Sequence, residues 1–212
     1  KNGYLRMAAY FEERAKGGVG LIVTGGIAPN RQGWVAPFSS KLTTKRVARK
    51  HRQITEAVHK HDGKICLQIL HSGRYGYHPL AVSASSIKSP IGMFKPKALG
   101  ERGIQKTIND YARCAALAQY AGYDGVEIMG SEGYLINQFI TKRTNRRTDG
   151  WGGSYENRIK FPLEIVRRTR EKVGNDFILI FRLSMLDLVE GGSTWDEIVQ
   201  LAKELEKAGV TI

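Results

Sequence analysis

The stretch Ile104-Gln-Lys-Thr-Ile-Asn-Asp-Tyr-Ala-Arg-Cys-Ala-Ala-Leu-Ala-Gln-Tyr-Ala-Gly-Tyr-Asp-Gly-Val-Glu-Ile128 changes period part-way along. Ile104, Ile108, Tyr111, Ala115 and Ala118 recur three or four residues apart, which lays one apolar stripe along a helix. Beyond Gly122 the helical spacing stops, and the short run at 125–128 reads as a strand. A helix running straight into a short apolar strand is half of a β/α unit.

The same alternation spans the chain. Further strands are expected at 19–24, 64–70 and 177–183, with another opening at Val210. Helices are expected at about 4–17, 43–61, 104–121, 154–173 and 194–208. Thr194 followed three residues later by Glu197 is a capping-box signature, and Gly209 stands where a helix stop belongs. A β-α-β-α order predicts an α/β fold with a parallel sheet. Parallel strands need cover on both faces or closure on themselves. The expectation is therefore a (β/α)8 TIM barrel, incomplete in residues 1–212, holding about strands 2 to 5 and the start of strand 6. The first strand and the C-terminal half of the barrel are expected to lie outside this sequence.

Composition narrows the function classes. The 212 residues are 42% apolar and 25% charged, enough to bury a sizeable core. No apolar run approaches the ~18 residues of a membrane span, and Lys1 to Arg6 lacks a signal-peptide layout, so a cytoplasmic protein without a membrane partner is expected. The net charge of +13 invites a nucleic-acid reading. Lys and Arg are nevertheless dispersed, largely on polar helix faces such as Arg167, Arg168, Arg170 and Lys172, so no nucleic-acid partner is expected. Cys66 and Cys114 lie in apolar runs without metal-ligand spacing and read as small buried residues, with no metal expected.

In a barrel of this kind chemistry sits at the C-terminal ends of the strands. Those ends carry Gly25-Gly26, Gln68 to Arg74, Glu127 to Tyr134, and Arg182-Leu-Ser184. The glycine pair allows a flat ligand or a phosphate close to the backbone, and a tight turn explains it equally well. Gln68 is an amide in an apolar strand and needs hydrogen-bond partners, which the edge of a flavin would supply. Arg182 interrupts the apolar run 177–181, and a buried guanidinium without a counter-charge is costly. Its partner is either a group that becomes anionic, such as a reduced isoalloxazine, or an inward acid such as Glu127. Tyr134 is placed to act as a general acid, although a loop tyrosine alone is more often packing. His71 and His78 read as ordinary loop residues.

Longer motifs add a resemblance. Gly125 to Phe139, Arg143-Thr-Asn-Arg-Arg-Thr-Asp149, Trp151-Gly-Gly-Ser-Tyr-Glu-Asn-Arg158 and Leu67-Gln-Ile-Leu-His-Ser-Gly-Arg74 together resemble the old yellow enzyme family over essentially the whole chain. The resemblance implies that residues 1–212 are a partial FMN-binding barrel domain, with Gly26, Gln68 and Arg182 holding FMN and Tyr134 protonating the substrate. Typical members carry a His, then His or Asn three residues on, before the Gly-Tyr pair; this sequence has Met129 and Glu132. A thioether donates no hydrogen bond and a carboxylate repels an enolate, so the usual enone-activating pair is absent. In this the chain resembles the bacterial NADPH-dependent 2,4-dienoyl-CoA reductase branch. That branch implies a small-molecule acyl-CoA substrate passing Arg143, NADPH as reductant, and FAD and a 4Fe-4S cluster in the full-length parent. Hydride would pass to the far end of the diene while Tyr134 gives a proton. Other ene-reductases of enoates or enones, and amine dehydrogenases, are the alternatives.

Overall fold

The structure, a computed structural model, describes residues 2–212. In chain order it runs α1 (Gly3–Lys16), β1 (Leu21–Val23), α2 (Lys45–His59), β2 (Lys64–Ile69), β3 (Val82–Ser83), β4 (Lys97–Ala98), α3 (Glu101–Tyr120), β5 (Gly125–Met129), α4 (Leu135–Ile140), α5 (Tyr155–Val173), β6 (Ile178–Arg182) and α6 (Trp195–Lys207). The helix starts are set by local chemistry. Thr44 and Ser154 accept from the backbone N–H three residues on, and Thr194 and Glu197 form the reciprocal capping box.

Four parallel strands form the sheet in the order β1-β2-β5-β6, with helical crossovers between them. This is the expected α/β architecture, and the four strands do not close on themselves. The segment from Val210 is not a regular strand. Thr211 N–H nonetheless donates to Leu179 O at 2.8 Å and Phe181 N–H to Ile212 O at 3.0 Å, which lays it along the β6 edge. A second, two-stranded parallel sheet, β3-β4, sits within the long connection from β2 to α3. No helix among the described residues is long and apolar enough to cross a membrane.

Side chains alternate across the sheet. Ile65, Leu67, Ile69, Val126, Ile128, Leu179 and Phe181 belong to the main core together with the stripe Ile104, Ile108, Tyr111, Ala115 and Ala118 of α3. The opposite face is set by register. Cys66, Gly125 and Ile178 share one row, Gln68, Glu127 and Ile180 the next, and Met129 and Arg182 the last. On this face Lys64 stands at the N-terminal end of β2, and Gln68, Glu127 and Arg182 gather toward the C-terminal ends of the strands. Gly125 is glycine because a Cβ there would overlap Ile178 O and press on Cys66 Sγ. Both cysteines are buried thiols, and burial pushes Cys66 up to about 12.

Candidate active site

The sheet register builds the first part of the site. Gln68 Nε2 donates to Glu127 Oε1 at 2.6 Å, which gives the amide a protein partner inside the strand. Gly26 lies directly beside it: a Cβ there would stand 2.8 Å from Leu70 Cβ and 3.2 Å from Gln68 Oε1. The close approach at Gly26 is thus made by Leu70 of the neighbouring strand end, whereas Gly25 faces open space.

Arg182 departs from the sequence reading. It was expected to be buried in its strand, yet it ends β6 exposed, and its side chain is 52% accessible. Its counter-charge is Glu132, Nε to Oε1 at 3.3 Å, rather than Glu127, which Gln68 engages. The physical reason is position along the strand, because the last residue of β6 emerges from the layer that covers Ile180 and Phe181.

Glu132 adopts a left-handed backbone, φ 61°, and stands two residues before Tyr134. Tyr134 is half-buried at the start of α4 and meets Tyr75 edge-on, with centroids 6.0 Å apart. Burial, then the Glu132 charge and Tyr75, raise its phenol above the ordinary value. Tyr134 therefore stays protonated at neutral pH.

Loops after β2, β5 and β6 enclose a cleft of about 300 Å3, bordered by Arg74, Tyr75, Glu132, Arg143 and Asp187. Arg143 is exposed at its rim. The structure thus brings Gly26 to Gln68, and Arg182 through Glu132 to the segment of Tyr134. Arg143 shares a cleft wall with Tyr75, the neighbour of Tyr134.

Two residues that hold the loops together were missed. Gln138, fully buried in α4, accepts from Arg74 N–H at 3.0 Å and Ser83 Oγ at 2.9 Å, and donates to Gly133 O at 2.6 Å. Asn137 accepts from Gly133 N–H at 2.8 Å and donates to Asp187 Oδ1 at 3.2 Å. The available signal was a polar Asn-Gln pair inside the apolar run 135–140. His71 and His78 are also not ordinary loop side chains, because both are buried. Burial, with the His78 and Lys106 charges, lowers His71 to about 3.

Known proteins resemble this chain in sequence and in fold. A sequence profile of the NADH:flavin oxidoreductase / NADH oxidase family matches residues 2–212. The chain is 40% identical over 215 residues to an NADH oxidase of Thermoanaerobacter brockii, covering 98% of this chain and 33% of that protein. It is 36% identical over 214 residues to an N,N-dimethylglycine/sarcosine dehydrogenase of Chromohalobacter salexigens, covering 97% of this chain and 30% of that one. The chain therefore spans about a third of the length of these relatives. Among solved structures, a 2-naphthoyl-CoA reductase in complex with 2-naphthoyl-CoA superposes with a TM-score of 0.90 at 33% identity, over 98% of this chain and 34% of the other. With a family profile covering residues 2–212, the chain belongs to the NADH:flavin oxidoreductase / NADH oxidase family, the old yellow enzyme family that its sequence resembles.

Proposed function

We propose that the intact protein is an FMN-dependent reductase of conjugated acyl-CoA thioesters of the 2,4-dienoyl-CoA type, with NADPH as reductant and Tyr134 as proton donor. The observation that carries this reading is at Met129. It is buried beside Arg182 in register, and its sulfur faces Ser131 Oγ at 3.7 Å, so its own side chain brings no donor for an enone oxygen. Support also comes from the structural neighbour bound to a CoA thioester.

The residues present fit FMN. Gln68 has its Nε2 engaged by Glu127, its carbonyl oxygen meets no donor among the described residues, and the half-exposed Arg182 guanidinium can face an anionic ring edge. FMN, when bound, supplies the hydride chemistry that no side chain here carries. Tyr134 holds a proton at its Oη and donates it to the substrate carbon that needs it. Arg143, at the cleft rim, lies along the acyl-CoA path in this reading. Relatives three times the length of this chain leave room for the FAD and 4Fe-4S modules that the reading assigns to the parent.

A second reading, an amine dehydrogenase on the same cradle, is favoured by the similarity to the N,N-dimethylglycine/sarcosine dehydrogenase. Steady-state assays of the intact protein with 2,4-hexadienoyl-CoA and with N,N-dimethylglycine separate the two. Turnover of the thioester is expected, and Tyr134→Phe slows it by about 10²-fold or more with flavin still bound. A full rate in that variant removes Tyr134 from the chemistry, and turnover of the amine alone sinks the thioester reading.

A further inference from the structure

Arg74 closes the motif Leu67 to Arg74, and its guanidinium lies 5.6 Å from the centroid of the Tyr75 ring, where the proposed reaction gives it no part. The residue is only 8% exposed, and its Nε is buried with no hydrogen-bond partner among the described residues. Its backbone is fixed. Arg74 N–H donates to Gln138 Oε1 at 3.0 Å, and Gly73 before it has φ 60°, where a Cβ would overlap the Gln138 amide. Arg74 borders the cleft of about 300 Å3.

The carboxylates of that cleft are committed elsewhere. Glu132 meets Arg182 at 3.3 Å, and Asp187 accepts from Asn137 Nδ2 at 3.2 Å and Thr141 Oγ1 at 3.3 Å. An arginine is cationic at any working pH, and one enclosed without a counter-ion is destabilising unless something else brings the negative charge. Another wall of the cleft is apolar. Leu186, Leu188 and Val189, on the loop after β6, are 73%, 89% and 45% exposed and border the same space.

We propose that this cleft binds an oxyanion carried on an apolar body, with the Arg74 fork holding the anionic group and Leu186, Leu188 and Val189 covering the body. A carboxylate and a phosphate ester share the acceptor chemistry that a guanidinium grips bidentately. The assignment deepens the proposed function and rests on it, because the same cleft carries Arg143 and the acyl-CoA path, and anion binding is read separately from turnover.

Calorimetric titration of the intact, flavin-loaded protein tests it with three probes: benzoate, benzamide and inorganic phosphate. Benzoate or phosphate binds, whereas benzamide, with the same ring and no charge, does not. Tighter benzoate identifies an organic acid as the source of the anion, and tighter phosphate a phosphate ester. Arg74→Met weakens the bound anion roughly 30-fold or more. Leu188→Asp, at an exposed position that folding does not need, also weakens it by adding like charge to the wall. Failure of both anions to bind, benzamide binding as well as benzoate with phosphate silent, or anion affinity unchanged in Leu188→Asp overturns the proposal. So does unchanged affinity in a folded Arg74→Met.

Discussion

Two charged side chains flank the approach to Tyr134. Arg182 lies 3.3 Å from Glu132, and the Glu132 charge in turn helps hold the Tyr134 phenol protonated. The Arg182–Glu132 pair is about half exposed on both sides, so water screens it and its contribution to folding is small. The same exposure leaves the guanidinium free to meet a ligand. Arg182→Ala should therefore keep the melting temperature within a few degrees of wild type while lowering the flavin-to-protein absorbance ratio of the purified intact protein. An unchanged ratio would leave Arg182 as a surface ion pair only. Sequence alone located this residue at a strand end but not its exposure. The run 177–181 shows where the apolar layer lies, whereas the residue that leaves the layer is decided by strand pairing with β5 and by the loop carrying Glu132.

Arg158 shows how the elements are joined behind the site. It is 2% exposed in α5 and donates to Ile140 O of α4 at 2.6 Å, to Gly153 O at 2.9 Å and to Glu197 of α6 at 3.0 Å. Glu197 also closes the capping box of α6, so one guanidinium ties three helices. Arg158→Met leaves a largely buried carboxylate uncompensated and Ile140 O without its donor, and should lower stability by about 3 kcal/mol in a urea titration. Arg167→Met, which removes an exposed pair with Glu164, should stay within about 0.5 kcal/mol. Equal effects would mean that burial is not what makes the Arg158 link matter. The long elements were legible in the sequence because α3 and α5 are 20 and 19 residues long and show several apolar turns. α4, with six residues, shows too few turns for a period, and its Asn137 and Gln138 are held by partners more than 40 residues away, at Asp187 and Ser83. β3 and β4, two residues each, exist only through their mutual pairing.

At the scale of the molecule, the helices pack the core against one face of the sheet, and the register gathers Gln68, Glu127 and Arg182 at the C-terminal strand ends, where β/α barrels carry their chemistry. Its pH response depends on histidines sealed in that packing. His51 is 2% exposed, shares a 2.9 Å hydrogen bond with Tyr123, and is lowered by burial to about 4; His71 is enclosed completely and lowered to about 3. An unfolded histidine takes up a proton near 6.5. Between that value and about 4 the unfolded chain therefore binds more protons than the folded one, and stability falls as the solution is acidified. The loss should begin near pH 6.5 and reach about 2 kcal/mol for each histidine at pH 5. Urea midpoints of the intact protein at pH 7, 6 and 5 measure it, and His51→Gln should flatten the slope by the share of one titrating group. A midpoint that holds constant from pH 7 to pH 5 would mean that both imidazoles are protonated inside the fold. The packing of α2 around His51, and of the β2 loop around His71, would then have to admit water or an acid partner.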